Sequence, residues 1–273
     1  MPKDSLAEKA AQNLSAVRAR KPLVHNITNF VVMNFTANAL LAMGASPVMA
    51  HAHNEVEEMV SFAGALVLNI GTLTDEWVDA MVKAGKKASA QNTPIILDPV
   101  GSGATRLRTT SAKRIMAETD IRVLRGNASE VLSLRNVDAK TKGVDAIHSV
   151  DDAAHTAVTL AGELNTTLAI TGPVDLITDG TRMVRVSNGH PLMGFVTGTG
   201  CTATAAIGAF LSVDADPVSA AATALAYLGL AGEVAGRDAA GPGTFMIKML
   251  DALYTITPED LQNRSQLQTE PLS

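Results

Sequence analysis

The glycine-rich sequence Gly194-Phe195-Val196-Thr197-Gly198-Thr199-Gly200-Cys201-Thr202 runs directly into an Ala-rich segment of helical composition. Glycines let the backbone approach a ligand closely, and a helix N-terminus presents unpaired N–H groups with a partial positive charge. The combination indicates an anion hole for a phosphate group, although a plain glycine-rich loop with threonine caps has the same composition. No Gly-Lys-Ser/Thr follows, which excludes a Walker A loop. The spacing to a preceding strand and a later acid does not fit a Rossmann fingerprint.

Upstream of this turn, short apolar runs alternate with longer segments of helical period. This alternation predicts an α/β fold with a mainly parallel central sheet flanked by helices. Most of the runs are continuous rather than alternating, as expected for strands buried on both faces. The predicted strands are Pro22–Val24, Pro47–Ala50, Ala65–Ile70, Pro94–Leu97, Ile121–Leu124 and Thr167–Ile170. The predicted helices between them are Asn29–Met43, Thr74–Ala90, Ser111–Glu118, Ser129–Leu134 and Asp151–Leu164.

The C-terminal part of the chain has a different pattern. Two strand-like runs within Asp175–Ser187 flank Asp179-Gly180, which predicts a small antiparallel hairpin at the sheet edge. Three Ala/Gly-rich helices are predicted to follow, at Cys201–Leu211, Pro217–Val234 and Thr244–Leu253. The polar end, from about residue 255 to 273, predicts a frayed and flexible tail. Without repeats or a linker, we expect residues 1–273 to form a single domain.

Composition excludes several classes of function. The chain has 273 residues, 47% of them hydrophobic, and a formal net charge of -5, which argues against a protein that wraps nucleic acid. Aromatic residues make up only 3%, too few for base-stacking platforms. The N-terminal stretch carries acids and lacks an apolar core, unlike a signal peptide, and no apolar run is expected to reach the roughly 20 residues that span a bilayer. A single cysteine, Cys201, favours a reducing, cytoplasmic location.

Four motifs, in order along residues 24–202, resemble those of the hydroxyethylthiazole kinase family, within the ribokinase-like superfamily. They are VHNITN at residues 24–29, DPVGSGATR at 98–106, GNASE at 126–130, and GTGC at 198–201. The last is a variant of the GxGD turn that is usual in ribokinase-like kinases. The resemblance implies a ribokinase-like three-layer sandwich. It also implies ATP-dependent phosphorylation of the primary alcohol of 4-methyl-5-(2-hydroxyethyl)thiazole, which belongs to thiamine biosynthesis or salvage, with Mg²⁺ and a homotrimer.

Two carboxylates occupy positions suited to a metal–nucleotide complex. Asp98 ends an apolar strand, and Glu130 follows another, so both lie beyond the carboxyl ends of strands, where ligands bind in open α/β sheets. Mg²⁺ takes a few carboxylates together with water and phosphate oxygens. The structural alternatives are a turn acid before Pro99 and a capping-box acid paired with Asn127. With the resemblance, we assign both acids to metal and nucleotide binding.

Arg125 and Thr171 follow two further strands in the same way. A guanidinium at this edge can bind phosphate bidentately, whereas a solvated loop arginine and a strand-terminal turn are the plain alternatives. The resemblance implies that both residues bind ATP.

The substrate side is assigned to Asn26, Met49 and Gly198. Asn26 offers an amide to an alcohol or a ring nitrogen, and Met49 is polarizable enough to pack on a sulfur heterocycle. Met49 alone would be an ordinary core residue, and its place in a thiazole pocket is implied by the resemblance. We expect His25 to be a buried core histidine, Asn29 to cap the next helix, and His51 and His53 to be exposed loop residues.

Cys201 stands where most of the superfamily has the aspartate that activates the acceptor alcohol. Together with Gly198 and Gly200, it is assigned to catalysis. A helix N-terminus can lower the pKa of a thiol from about 8.5, so Cys201 is expected to act as a weak base or to orient the hydroxyl. A buried small side chain at the helix start is the alternative.

Three other functions stay open at this point. The first is a ribokinase-like hydroxymethylpyrimidine kinase, which VHNITN and Cys201 disfavour. The second is an ATP-dependent hydratase-type repair lyase of the same fold, whose turn normally keeps Asp. The third is a non-catalytic thiazole or nucleotide sensor, which Asp98, Glu130 and the glycine turn disfavour.

Overall fold

The computed structural model describes residues 5–135 and 150–271. These residues build one nine-stranded sheet in the order β2-β1-β3-β4-β5-β6-β7-β8-β9. The first six strands in this order pair in parallel, and the last three are antiparallel. The strands are β1 (Leu23–Ile27), β2 (Ser46–Val48), β3 (Ala65–Asn69), β4 (Ile95–Asp98), β5 (Ile121–Gly126), β6 (Thr167–Ile170), β7 (Asp175–Thr178), β8 (Met183–Val186) and β9 (Leu267–Glu270).

Helices cover both faces of this sheet. They are α1 (Leu6–Arg20), α2 (Met33–Met43), α3 (Val56–Val60), α4 (Asp75–Gln91), α5 (Arg106–Glu118), α6 (Ala128–Leu132), α7 (Val150–Leu164), α8 (Thr199–Leu211), α9 (Pro217–Gly236), α10 (Pro242–Thr255) and α11 (Pro258–Arg264). Side chains alternate across each strand, so Val67 packs in one core with α1, α2 and α8–α11, whereas Leu66 and Leu68 pack in the other, with α3–α7. The expected three-layer arrangement with an edge hairpin is confirmed.

The central helix α8 lies flat on the sheet because its sequence is small and apolar on every side. Ten of its residues, Thr202–Leu211, are buried. A Cβ placed on Gly208 would come within 3.1 Å of Val67 and 3.2 Å of Val24, so glycine at this position allows close helix–sheet contact. This packing sets the start of α8 at the carboxyl ends of β3 and β4.

Helix α9 is the second core helix. Asp216 caps it through the N–H groups of Val218 and Ser219, and Pro217 occupies its first turn. By length and composition alone its 20 residues could cross a membrane, so the expectation that no apolar run is this long is wrong. However, 89% of its most apolar window is buried inside the fold, the pattern of a core helix that is apolar all round.

The C-terminal segment differs from the frayed tail that the sequence predicted. Thr257 and Asp260 form a capping box at the start of α11, and β9 pairs with β8 from Leu267 to Glu270. The Arg185 Nε atom lies 2.7 Å from Glu270 Oε1 across this pair. The strand is polar and partly exposed, so its stability depends on pairing, which local sequence does not reveal.

Candidate active site

The glycine turn leads into the N-terminus of α8, as predicted. Gly198 is the N-cap, with φ 94°, a left-handed conformation that favours glycine. A Cβ at this position would also meet Val32 and Phe35 at 3.2 and 3.3 Å. The N–H groups of a first helical turn have no intrahelical acceptors, and no acid occupies the first turn of α8. The turn therefore offers donors and positive potential to an anion.

Arg125, near the end of β5, lies against this turn. Its Nη2 donates to Thr171 Oγ1 at 2.6 Å, and its Nη1 is 3.6 Å from Asp98 Oδ2. A Cβ on Gly200 would come within 2.9 Å of Arg125 Nη1, so a larger residue would force the guanidinium to shift. The structure thus brings together four of the predicted residues: Arg125, Thr171, Asp98 and Gly200.

Asp98 ends β4 and is 1% exposed. Its Oδ2 accepts hydrogen bonds from Asn69 Nδ2 and Thr204 Oγ1, both at 2.8 Å, whereas its Oδ1 has no partner among the described residues. Burial raises the pKa of this carboxyl to about 6, against the opposing effect of Arg125. A buried acceptor atom without a donor is a position where a cation or a ligand hydroxyl can bind.

Glu130 adopts the capping-box arrangement that was the structural alternative. Its Oε2 accepts from the Asn127 N–H at 3.0 Å, and Asn127 Oδ1 accepts from the Glu130 N–H. Its Oε1 accepts from the Gly101 N–H at 2.8 Å. Glu130 therefore ties the loop after β4 to the start of α6, and its charge helps to raise the pKa of Asp98.

The donor set fits a hard cation such as Mg²⁺. Asp98 Oδ1 is free to ligate, and the Glu130 charge lies near enough to affect it. Within residues 5–135 and 150–271, no group of three His, Cys, Asp or Glu side chains is placed to hold a metal ion. A bound Mg²⁺ would thus complete its coordination with water and phosphate oxygens, its usual arrangement in kinases.

Cys201 lies in the first turn of α8, beside two asparagines. Its Sγ is 3.4 Å from Asn29 Nδ2 and 3.3 Å from Asn69 Nδ2. The pKa of the thiol is raised, first by burial and then by the Asp98 charge. The expectation that the helix N-terminus lowers this pKa is therefore wrong, because desolvation of a thiolate and a nearby carboxylate outweigh the dipole. A thiol that stays protonated favours an orienting role.

Asn29 and Asn69, beside Cys201, were not assigned to the site from the sequence. Asn29 was expected to cap the next helix, but α2 begins only at Met33, after Val32, which makes no side-chain cap. Asn29 Nδ2 instead donates to Asn69 Oδ1 at 2.8 Å. The available signal was position: Asn69 is a polar residue at the end of the buried strand β3, just as Asp98 ends β4.

On the substrate side, Asn26 lies within β1 rather than after it. It is buried, its Nδ2 donates to Val24 O at 2.9 Å, and its Oδ1 has no partner among the described residues. Met49 is half-buried directly after β2, the neighbouring strand. His25 is a core histidine, as expected, with Nε2 2.8 Å from Ala50 O, and burial lowers its pKa.

His51 and His53 are exposed, as expected. His51 stacks on Trp77 at a ring-centroid distance of 4.0 Å, and Phe30 packs on Trp77 at 4.8 Å. This aromatic group joins the loops after β1 and β2 to α4, next to the segment that carries Asn29.

A cavity of about 610 Å³ opens beside Arg125, within the size range of ligand sites. Its walls come from the loop after β6, the turn before α8, and α9. Asp175, which the sequence analysis did not select, lines it and accepts from the Gly172 N–H at 3.0 Å. Burial raises the pKa of Asp175 to about 6. Thr171 and Gly200 line the same cavity, so a ligand bound at the glycine turn would have room to extend into it.

A second cavity, of about 680 Å³, lies at the opposite end of the strands, where β4, β5 and β6 begin. It is lined by residues such as Asn92, Asp120 and Asn165, and none of the predicted site residues contributes to it. The carboxyl edge of the sheet is therefore the candidate active site.

Known proteins resemble this chain over almost its whole length. The model of the hydroxyethylthiazole kinase family matches residues 14–259. The hydroxyethylthiazole kinase of Desulfotalea psychrophila is 66% identical over 93% of each chain, and that of Desulfosudis oleivorans is 55% identical over 98% of each chain. The solved structure of the Pyrococcus horikoshii hydroxyethylthiazole kinase protein has a TM-score of 0.88 and 45% identity, covering 96% of this chain and 98% of that one.

A more distant structure confirms the fold assignment alone. A ribokinase-like superfamily protein from Enterococcus faecalis has a TM-score of 0.65 at 15% identity, covering 97% of this chain and 92% of that one. The predicted ribokinase-like α/β fold is thereby confirmed, and the family match extends through the strands and helices that carry all the assigned residues. The chain belongs to the hydroxyethylthiazole kinase family.

Proposed function

We propose that this protein transfers the γ-phosphoryl group of ATP to the primary alcohol of 4-methyl-5-(2-hydroxyethyl)thiazole, giving ADP and the phosphate ester. Family membership supports this reaction, which serves thiamine biosynthesis or salvage. The observation that carries the proposal is the contact between Arg125 and the Gly200 turn, beside the buried Asp98 carboxylate. The Arg125 guanidinium and the N–H groups of the first turn of α8 lie side by side there. Positive groups placed together in this way can stabilise a phosphoryl group in transfer.

Positioning and charge stabilisation account for most of such a reaction. The first-turn amides of α8 and the Arg125 guanidinium would bind the γ-phosphate oxygens, while Thr171 holds the guanidinium in place. Mg²⁺, held through Asp98 with Glu130 nearby, would neutralise phosphate charge. The new bond forms between the alcohol oxygen and phosphorus, the bond from phosphorus to the ADP oxygen breaks, and the alcohol proton passes to a phosphate oxygen or to water.

Cys201 would orient the acceptor alcohol next to the γ-phosphate. Its raised pKa keeps the thiol protonated near neutral pH, so it can hydrogen-bond to the alcohol oxygen but accepts a proton poorly. We assign Gly198, Asn26 and Met49 to the thiazole side, because Gly198 packs on Val32 and Phe35, just beyond β1. Asn26 Oδ1, buried without a donor, is suited to a polar group of the substrate.

A coupled ADP-release assay with Mg-ATP tests the proposal. The acceptors are the thiazole alcohol, its analogue lacking the hydroxyl, and a hydroxymethylpyrimidine. We expect ADP release, and formation of the phosphate ester by mass spectrometry, with the thiazole alcohol alone. Preference for the pyrimidine would support the related kinase instead, and binding of both ligands without ADP release would support a sensor.

We further propose a homotrimer with sites at subunit boundaries. Large apolar side chains are exposed on α10 and around the start of α2; Val31 is 66% exposed and Tyr254 73%. Such exposed apolar surface is typical of interfaces, and α2 and α10 pack against each other. Light scattering should give about three times the 28.4 kDa chain mass. Ile247→Lys should lower that mass and the turnover together, whereas a monomeric, fully active wild type would refute the trimer.

A cytoplasmic location completes the proposal. The reaction consumes ATP, and Cys201 is partly exposed and unpaired, a state that a reducing compartment preserves. Fractionation of the native host with an antibody against the chain tests this location, and recovery in the membrane or secreted fraction would contradict it.

A further inference from the structure

The polar network around Cys201 contains one amide whose orientation is fully determined. Asn69 Oδ1 accepts from the Gly71 backbone N–H at 2.9 Å. A backbone N–H can only donate, so the oxygen of the Asn69 amide must face Gly71 and the amide nitrogen must face the other way. The two ends of a side-chain amide usually have to be assigned; here the proton on the Gly71 nitrogen decides which end is the oxygen.

The rest of the network follows from this orientation. Asn69 Nδ2 donates to Asp98 Oδ2 at 2.8 Å and to Cys201 Sγ at 3.3 Å. Asn29 Nδ2 donates to Asn69 Oδ1 at 2.8 Å and reaches Cys201 Sγ at 3.4 Å. The Asn69 amide thus uses both of its donors and both acceptor sites of its oxygen. It connects the metal-side carboxylate and the thiol in one rigid unit.

Gly71 keeps Asn29 in this network. A Cβ at residue 71 would come within 2.6 Å of Asn29 Nδ2 and 2.9 Å of Asn29 Cβ. Any larger residue would therefore displace the Asn29 side chain. The close approach is needed only because the Asn29 amide lies at this position, beside Asn69 and the sulfur.

We propose that Asn29 and Asn69 are positioning residues that hold the Cys201 sulfur as a hydrogen-bond acceptor. Two N–H donors occupy the two lone pairs of a thiol, so its proton is directed away from the amides and is available to the acceptor alcohol. The same two donors would suit a carboxylate, which is the group that most of the superfamily has at this position. This inference rests on the proposed function.

The expected effect is on turnover rather than on nucleotide binding. Asn29→Ala, Asn69→Ala and Gly71→Ala should each lower kcat with the thiazole alcohol by about 10- to 100-fold, the scale of a misplacement near 1 Å. The KM for ATP should stay within about two-fold for Asn29→Ala and Gly71→Ala, because neither residue touches the phosphate side. Gly71→Ala removes no polar group and so separates displacement from deletion. Asn38→Ala, at an exposed asparagine bonded to Asn34, is the matched control and should be unchanged.

A double-mutant cycle separates positioning from a merely structural role. In a Cys201→Ala background, Asn29→Ala should change kcat by less than about two-fold, because its target is gone. If Asn29→Ala lowers kcat equally in both backgrounds, the proposal is overturned. If Asn69→Ala does not fold, the Asn29 and Gly71 variants decide.

Failure of the proposed function is distinguishable in the same experiment. A wild type that releases no ADP with the thiazole alcohol refutes that function alone. The contact is then tested by urea unfolding of the same four proteins of the Asn29–Cys201 cycle. Coupling between the two substitutions supports the hydrogen bond to sulfur, and strict additivity refutes it.

Discussion

Gly200→Ala, which adds one methyl group, should lower kcat/KM strongly without unfolding the protein. Gly200 has an ordinary helical conformation in α8, so it is glycine for space and not for φ. A Cβ there would lie 2.9 Å from Arg125 Nη1, 3.1 Å from Nη2 and 3.5 Å from Cζ. Relief of these contacts requires the guanidinium to retreat by about 0.5 Å, which would lengthen its 2.6 Å hydrogen bond to Thr171 to as much as about 3.1 Å, near the upper limit for such a bond.

A shift of this size at a phosphate-binding cation should lower kcat/KM by about 10- to 100-fold, since a misplacement of 1 Å can cost 10²-fold. Both kcat and the KM for ATP should worsen, because Arg125 would contact the nucleotide before and during transfer. The melting temperature should stay close to that of wild type. The helix propensity of Ala exceeds that of Gly by about 0.8–1 kcal/mol, which offsets the crowding.

The assay is steady-state ADP release at varied ATP and varied thiazole alcohol, with thermal melts of the same preparations. Gly243→Ala is the control: it makes the same change in the first turn of α10, where a Cβ has no neighbour within 4 Å. Wild-type kinetics in Gly200→Ala would refute the placement of Arg125 against the transferred phosphate.

Five further substitutions, in three groups, test other parts of the site. Cys201→Ala should lower kcat by about 10²-fold with nucleotide affinity unchanged. Cys201→Asp should retain or increase activity in the ADP-release assay, because a carboxylate is a stronger base than a protonated thiol. A folded but inactive Cys201→Asp would show that this position does not activate the alcohol. Asp98→Ala and Glu130→Ala should each raise the Mg²⁺ concentration needed for half-maximal rate, and an unaltered Mg²⁺ titration in both would exclude them as metal-binding residues. Burial raises the pKa of Asp175 from 3.8 to about 6. Between these two pH values the folded chain holds a proton that the unfolded chain has released. The contribution of Asp175 to stability therefore falls as the pH rises from 3.8 to about 6. Asp175→Asn should therefore be more stable than wild type at pH 8, by at most about 3 kcal/mol, and an equal pH dependence of urea unfolding in both proteins would contradict this.

The central sheet was predictable because its strands are buried on both faces. Ala65–Ile70 is apolar except at Asn69, and Ile121–Leu124 is apolar except at Arg122; both are strands within two residues of their predicted ends. Helix α1 escaped notice although its signals were present: Ser5 and Glu8 form a capping box, and Leu14 and Val17 face the core. The same local reasoning failed at β9, where polar residues become a strand by pairing with β8.

The site residues that could be predicted are those whose location follows from their position along a strand. Asp98, Arg125 and Thr171 each stand at or just after a strand end, and parallel strands bring those ends together. The thiol pKa depended instead on burial and on the Asp98 charge, which no local pattern reports. Asn29 was misassigned because asparagine before a helix is a common cap, and its true partner, Asn69, is 40 residues away.

The proposed reaction requires the start of α8 to bind the phosphoryl group in transfer. A crystal structure with a non-hydrolysable ATP analogue, Mg²⁺ and the thiazole alcohol would show where that group binds. We predict that the terminal phosphate accepts hydrogen bonds from the first-turn amides of α8 and from Arg125, with the alcohol oxygen beside Cys201. A terminal phosphate bound away from this turn, for example in the cavity at the opposite end of the strands, would show that the start of α8 is not the phosphate site.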